Sequence, residues 1–547
     1  MHIFKFLLVT AAAGAVAKPP NILYLLADDV GWNDYSLHSA QIPTPNFDAI
    51  GARGVVLENF YVQPSCSPTR ASLMTGRHAI HTGIYDPLTH GENNEHLDLS
   101  FTLLPRYLNA CCNYTSHMVG KWHLGANTMN ATPVGRGFAS HLGMMSGAES
   151  HVSHTVETYA ADPISVYDFR DDLVAALEWN GTDSTTAFAA RAVSILEAHA
   201  AKGPDAPPLF LYVAFQDTHV PMEAPPEYIA RCKDATGGNA NRAIICGMAL
   251  LLDEAIGNIT AALTESGLAA NTLVIAHSDN GGPVSFEPTG PMGFANNNFP
   301  LRGGKGTLFQ GGVRSAGVMA GPGVPVGGTA PAFAHVSDWL PSLVSMATGG
   351  EDFRQWAPPG EPPYQEGDGV DVWAQLVNNS APTKRDWVLL EAAHGKVPGV
   401  PPFSIVNGNG LIMGDMKLLS VPVGVSPSGE DGWLLAPGQS ADAHYRTVCH
   451  GGGAGSPPLS GLAPFEMNCA HPKFCLFNIT EDPCEYRDLA LALPSVLDAM
   501  LKALAKFTAT ALPGIRGSGC MPTLLNFTGT AGGLAHAWQP CDYVPMQ

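Results

Sequence analysis

The stretch Ile22-Leu23-Tyr24-Leu25-Leu26-Ala27 runs straight into Asp28-Asp29. A short continuous run of this kind suits a strand buried on both faces, as in a parallel sheet covered by helices. The design recurs twice. Leu209-Phe210-Leu211-Tyr212-Val213-Ala214-Phe215 leads into Gln216-Asp217-Thr218-His219, and Leu273-Val274-Ile275-Ala276 leads into His277-Ser278-Asp279-Asn280-Gly281-Gly282. Two helical patterns lie between the strands. Residues 184–202 carry Phe188, Ala192, Ile195, Leu196 and His199 on roughly one face and end at Gly203-Pro204. Residues 241–266 carry Ile245, Met248, Leu252, Ile256, Ile259 and Leu263 and end at Gly267. Alternating strands and helices predict an α/β domain with a mainly parallel central sheet flanked by helices. Sites in such sheets form beyond the carboxyl ends of the strands. Asp28, Asp29, His219, Asp279 and Asn280 are therefore expected to converge.

The chain's 547 residues are enough for one large domain and a smaller one. Its 48 acidic against 28 basic residues give a net charge of −20, which argues against a nucleic-acid partner or an anionic membrane surface. The 20 His could cancel that charge in an acidic compartment. Lys5, the apolar run from Phe6, and Ala15-Val16-Ala17 read as a signal peptide spanning residues 1–17. No other run is read as a membrane span. Sequons at Asn113, Asn130, Asn180, Asn258, Asn378, Asn478 and Asn526 agree with a secreted glycoprotein or one of a lysosome-like compartment. Eleven cysteines, an odd number, leave one thiol over in an oxidising compartment. Cys232 with Cys246, and Cys475 with Cys484, are plausible pairs.

The texture changes near residue 395. Asn407-Gly408-Asn409-Gly410 marks a turn, the strand-like Leu411-Ile412-Met413 and Lys417-Leu418-Leu419 follow, and residues 422–472 are loop-rich. Pro494 can occupy the first turn of a helix bearing Leu497, Leu501, Leu504 and Phe507. The expected organisation is a catalytic α/β domain over residues 18–395 and a smaller, disulfide-rich α+β domain over residues 396–547.

Cys66-Ser67-Pro68-Thr69-Arg70, followed by Thr75-Gly76-Arg77, resembles the C-x-P-x-R…T-G-R signature of the type I sulfatases. Asp28-Asp29-Val30-Gly31-Trp32, Gly120-Lys121-Trp122-His123-Leu124-Gly125, Ser278-Asp279-Asn280-Gly281-Gly282 and Leu301-Arg302-Gly303-Gly304-Lys305 match further blocks of that family, in family order. Residues 252–263 resemble the arylsulfatase B, or N-acetylgalactosamine-4-sulfatase, group. The resemblance implies an alkaline-phosphatase-like fold and a sulfuric ester hydrolase. It also implies that Cys66 is oxidised to formylglycine by a formylglycine-generating enzyme, and that one Ca²⁺ is held by Asp28, Asp29, Asp279, Asn280 and the modified Cys66. Arg70 would hold the nucleophile's deprotonated hydroxyl. Lys121 and Lys305 would grip the sulfate, His219 would protonate the leaving oxygen, and His123 would act as base. The substrate would be a sulfated saccharide or an aryl sulfate.

The chemistry is consistent with these residue types independently of the resemblance. Sulfate-ester hydrolysis needs a nucleophile, positive charge at the nonbridging oxygens and a proton for the leaving group. Three carboxylates and an amide offer oxygen to a hard divalent cation. Two alternatives remain open: a formylglycine-dependent phosphonate or phosphodiester hydrolase of the same superfold, and an inactive protein that binds sulfated glycans.

Overall fold

The computed structural model describes residues 18–88, 95–157, 165–284, 294–358, 360–362, 364–365, 367–392, 408–420 and 473–515, and the backbone of two later strands. The signal-peptide segment, the stretch 421–472, and Cys449, Cys469, Cys520 and Cys541 lie outside the described residues.

Twelve strands precede the C-terminal part: β1 (Asn21–Ala27), β2 (Val55–Tyr61), β3 (Thr115–Gly120), β4 (Ser140–Met144), β5 (Thr155–Glu157), β6 (Ser165–Tyr167), β7 (Phe169–Asp171), β8 (Val174–Ala175), β9 (Leu209–Ala214), β10 (Thr272–Ser278), β11 (Gly317–Ala320) and β12 (Gly328–His335). Ten of them form one sheet in the order β12-β2-β11-β10-β1-β9-β3-β4-β7-β8. The central strands β10, β1, β9, β3 and β4 are mutually parallel. Strands antiparallel to them flank this block, β11 on one side and β7 on the other, so the sheet is mixed.

β1 shows why its sequence reads as a continuous apolar run. Successive side chains of a strand point to opposite faces. Ile22, Tyr24 and Leu26 enter one core with Leu73, Leu104 and Leu340 from the helices Cys66–Thr75, Leu104–Cys112 and Trp339–Thr348. Leu23, Leu25 and Ala27 enter the other with Phe188 and Ile256 from the helices Ser184–Ala200 and Ala240–Glu265. Each fully buried aliphatic side chain contributes roughly 1.5–3 kcal/mol, and β1 has no solvent face. The helix Ala240–Glu265 is long and apolar enough by composition to cross a membrane, but 72% of its most apolar window is buried inside the protein. Here it is a core helix.

A second sheet is antiparallel: β13 (Trp387–Glu391), β14 (Gly410–Met413), β15 (Met416–Ser420) and β16 (Phe474–Asn478), in that order. The helix Pro494–Thr510 packs Leu497, Met500 and Leu504 against Leu411, Leu418 and Leu476 of this sheet. Ile80 and Tyr85 share the same cluster, so the small layer is built onto the large one. The last strands, β17 (Thr523–Thr528) and β18 (Leu534–Gln539), return to pair with β6.

Cys232 and Cys246 form a disulfide, and Cys475 and Cys484 are each disulfide-bonded. Three described cysteines are free: Cys66, Cys111 and Cys112. The expectation of a single unpaired thiol therefore does not hold. Cys111 and Cys112 are successive residues at the end of the helix Leu104–Cys112, close enough for their thiols to interact but not joined in a disulfide.

Candidate active site

Four adjacent parallel strands, β10, β1, β9 and β3, deliver the site. Each presents polar residues one to five positions after its last strand residue, giving Asp279-Asn280, Asp28-Asp29, His219 and Lys121 respectively. The two aspartate loops are tied together. The Asp279 amide donates to the Ala27 carbonyl at 3.0 Å, and the Asp29 amide donates to Asp279 Oδ1 at 3.3 Å. Asp29 adopts φ 62°, a left-handed conformation that Asp tolerates better than most residues.

Cys66 opens the helix Cys66–Thr75, every residue of which is buried. The helix ends at Gly76 with φ 67°, the left-handed cap that glycine supplies without a Cβ penalty. The Cys66 thiol donates to Asp28 Oδ1 at 3.5 Å. Arg70 lies one turn further on the same face. Its guanidinium donates to Asp279 Oδ2 at 2.8 Å, to Asp28 Oδ2 at 3.2 Å and to the Lys121 carbonyl at 2.8 Å. Lys121 Nζ donates to Asp28 Oδ2. Lys305 Nζ donates to Asp29 Oδ2 at 2.8 Å, and His219 Nε2 lies 3.7 Å from the same oxygen. Lys305 is positioned by a loop whose Gly306 amide donates to the Pro64 carbonyl, two residues before Cys66.

His123 lies beside this cluster. Its carbonyl accepts from the Ser67 hydroxyl at 2.9 Å, and its Nε2 pairs with the Leu88 carbonyl at 2.9 Å. Gly147 closes over the ring, where an added Cβ would lie 2.5 Å from His123 Nε2. Gly147→Ala is therefore expected to displace His123 and lower kcat by on the order of 10- to 100-fold, the scale for a misplacement near 1 Å. Steady-state kinetics on the purified variant checks this, and unchanged turnover would remove His123 from the reaction.

Electrostatics set these groups apart from surface charges. Burial works against the Lys305 ammonium, but Asp29, Cys66 and Asp28 outweigh it and hold its pKa above the usual lysine range. The Arg70 guanidinium is likewise stabilised against burial by Asp279, Tyr212 and Asp28. Burial, followed by Asp279 and Asp28, pushes the Cys66 thiol upward, so an unmodified Cys66 is a poor source of thiolate. Burial, followed by Lys305 and Lys121, pushes His219 downward.

The residues fit a hard divalent cation. One ligand atom from each of Asp28, Asp29, Cys66 and His219 lies within 4.8 Å of the others. Asn280 Nδ2 donates to Asp29 Oδ1 at 2.6 Å and to the Gly281 carbonyl, while the buried Asn280 Oδ1 has no hydrogen-bond partner among the described residues. A buried carbonyl oxygen without a donor is costly unless a cation or water satisfies it. An oxygen-dominated donor set suits Ca²⁺ or Mg²⁺ better than Zn²⁺.

Several buried polar residues that brace the site were not legible in the sequence. Asn296 Nδ2 donates to the Asp29 carbonyl and to Thr218 Oγ1, both at 2.8 Å. Asn298 exchanges hydrogen bonds with Gly282 and donates to the Gly303 carbonyl, tying the Lys305 loop to the end of β10. The run Asn296-Asn297-Asn298 has the composition of a surface loop, and only its burial marks it as structural. Arg77 and His78, at the end of the signature, have structural contacts as well. Arg77 lies over the rings of Phe101 and Tyr364, and His78 pairs with the Gly367 carbonyl.

Known proteins bear on this geometry in three ways. The sulfatase family profile matches residues 20–349. Arylsulfatase J of Mus musculus is 32% identical over 92% of this chain and 78% of its own length. N-acetylgalactosamine-6-sulfatase of Sus scrofa is 31% identical over 63% of this chain and 66% of its own. Among solved structures, Ps i-CgsB in complex with k-i-k-neocarrahexaose superposes with a TM-score of 0.69 at 22% identity, covering 91% of this chain and 94% of that one. Strand-end acids, a buried signature cysteine and three cations gathered on an alkaline-phosphatase-like fold thus accompany a family match over most of the catalytic part, and the chain belongs to the sulfatases, the sulfuric ester hydrolases.

Proposed function

We propose that this chain removes sulfate from a sulfated saccharide or aryl sulfate, using a formylglycine made from Cys66 and one Ca²⁺ held by Asp28, Asp29, Asp279, Asn280 and the modified residue 66. The observation that carries this reading is the closed cluster of Cys66, three carboxylates and three cations at the ends of adjacent strands. The fixed charges of Asp28, Asp29, Asp279, Arg70, Lys121 and Lys305 cancel, so a bound divalent cation leaves a net positive site for an anionic ester. The cation, when bound, polarises the sulfate oxygens and favours an ionised hydroxyl. A formylglycine at residue 66 would supply, as its hydrate, one hydroxyl to attack sulfur as the ester S–O bond breaks and a second whose deprotonation would re-form the aldehyde and expel sulfate.

The chain's own residues do the rest. Arg70 fixes Asp28 and Asp279 and favours the deprotonated attacking hydroxyl. Lys121 and Lys305 bind the nonbridging oxygens once the carboxylates engage the cation. His219 Nδ1 donates to the Val220 carbonyl at 2.8 Å, which leaves Nε2 as the ring atom facing the site; Nε2 carries a proton only in the imidazolium form, which a bound anionic ester favours against burial and the two lysines, and it passes that proton to the leaving oxygen. His123 takes the proton of the second hydroxyl. The secretory pathway is the compartment consistent with the disulfides.

The test is a comparison of kcat/KM on matched sulfate, phosphate and phosphonate esters, with saccharides added to an aryl sulfate control. Sulfated N-acetylgalactosamine is the first saccharide to try, given the likeness of residues 252–263 to the arylsulfatase B group. A preference for sulfate by several orders of magnitude is expected. A preference for phosphodiesters or phosphonates would favour the other hydrolase, and binding of sulfated glycans without turnover would favour an inactive lectin-like protein.

A further inference from the structure

His151 is fully buried and makes no contact with the catalytic cluster's acids, yet it joins three elements behind His219. Its Nε2 is 3.1 Å from the His219 carbonyl oxygen. A carbonyl can only accept, so Nε2 carries the proton. Its Nδ1 lies 3.2 Å from Asp217 Oδ1 and 3.3 Å from Ser184 Oγ. Asp217 is itself fixed from two sides: Oδ2 accepts from Thr185 Oγ1 at 2.7 Å, and its carbonyl accepts from the Asp28 amide at 2.9 Å. The loop that carries His151 is cross-braced to the loop that carries His219. Gln216 Nε2 donates to the Glu149 carbonyl at 2.5 Å, and Glu223 Oε2 accepts from the His151 amide at 2.8 Å and from Ser150 Oγ at 3.0 Å.

We infer that His151 is a positioning residue for the proton donor: its imidazole, oriented by Asp217 and Ser184, holds the His219 backbone so that His219 Nε2 faces the leaving oxygen. The inference rests on the donor role proposed above for His219. Among the described residues, no other polar side chain reaches the His219 carbonyl, and the polar contacts of its ring are the adjacent Val220 carbonyl and, more distantly, Asp29. Losing the His151 contact therefore frees the 219–221 backbone to shift the ring, and general acid catalysis is sensitive to such shifts.

The experiment is a leaving-group series on the full chain, using aryl sulfates from 4-nitrophenyl sulfate, which needs little protonation, to phenyl sulfate and alkyl sulfates, which need it fully. His151→Leu, His151→Gln, Asp217→Asn and His219→Ala are compared with the parent. The expected result for His151→Leu is a loss of kcat of about tenfold or more on the poor leaving groups and less than about threefold on 4-nitrophenyl sulfate. His151→Gln, which keeps an N–H donor, should recover part of the loss. Asp217→Asn should show the same leaving-group dependence in weaker form, and it stands in if His151→Leu does not fold. If His219→Ala shows the steep dependence but the His151 and Asp217 variants lower all substrates equally, the positioning inference is overturned while the role of His219 stands. If His219→Ala shows no leaving-group dependence, the donor role itself falls and the inference falls with it.

Discussion

Cys66→Ala is expected to fold, to keep the Cys232–Cys246 disulfide, and to lose turnover by roughly a million-fold, the scale on which removal of a covalent nucleophile acts. Folding should survive because the side chain adds only one buried sulfur to a helix whose other residues fill the core, a deficit of about 1 kcal/mol. Turnover should not survive, because among the described residues no other thiol reaches the acids: Cys111 and Cys112 sit at the far end of a different helix. Cys66→Ser separates two steps. A serine hydroxyl can attack sulfur, but it has no second hydroxyl to drive release, so a single turnover that stalls as a sulfated side chain is expected. Rapid-quench kinetics with a chromogenic aryl sulfate distinguishes that burst from the silence of Cys66→Ala.

Stripping the divalent cation should be comparably severe. Dialysis against a calcium chelator is expected to abolish turnover and lower Tm, and Ca²⁺ or Mg²⁺, but not Zn²⁺, should restore both, because the proposed ligands Asp28, Asp29, Asp279 and Asn280 offer carboxylate and amide oxygen. Elemental analysis of active protein that finds stoichiometric zinc and no calcium or magnesium would refute this. Asp279→Ala adds a stability test. From sequence, Asp279 is a strand-end residue whose loss should leave the fold intact. In the structure it is buried and is the nearest partner of the fully buried Arg70. Removing one member of a buried ion pair costs about 3–5 kcal/mol, and the remaining Asp28 contact places this case toward the lower end. Urea unfolding of the variant beside Asp279→Asn, which keeps the shape and a hydrogen-bonding group, reads the difference.

The fold was legible where burial imposes a pattern. β1, β9 and β10 were readable because strands covered on both faces must be apolar throughout. The helices Ser184–Ala200, Ala240–Glu265 and Pro494–Thr510 lie within two residues of their expected starts because caps and glycine punctuate them. The antiparallel strands at the sheet's flanks were not legible. β7 and β8 are two or three residues long, and β11 runs against its neighbours for reasons of connectivity that no local pattern records. The candidate site was readable as residue types in blocks, since acids and lysines that follow apolar strands are conspicuous. Its bracing was not. His151, Asp217 and the three Asn from Asn296 to Asn298 are polar residues in loops, and only their burial and hydrogen bonds separate them from solvated ones.

The most direct measurement is the mass of the Cys66 peptide from active protein made in a eukaryotic secretory host. The expected residue is lighter than cysteine, with sulfur replaced by oxygen and two hydrogens lost, reacts with carbonyl reagents, and has an abundance that tracks specific activity. A fully active preparation in which Cys66 is found as an unmodified thiol, or in a disulfide, would contradict the formylglycine proposal.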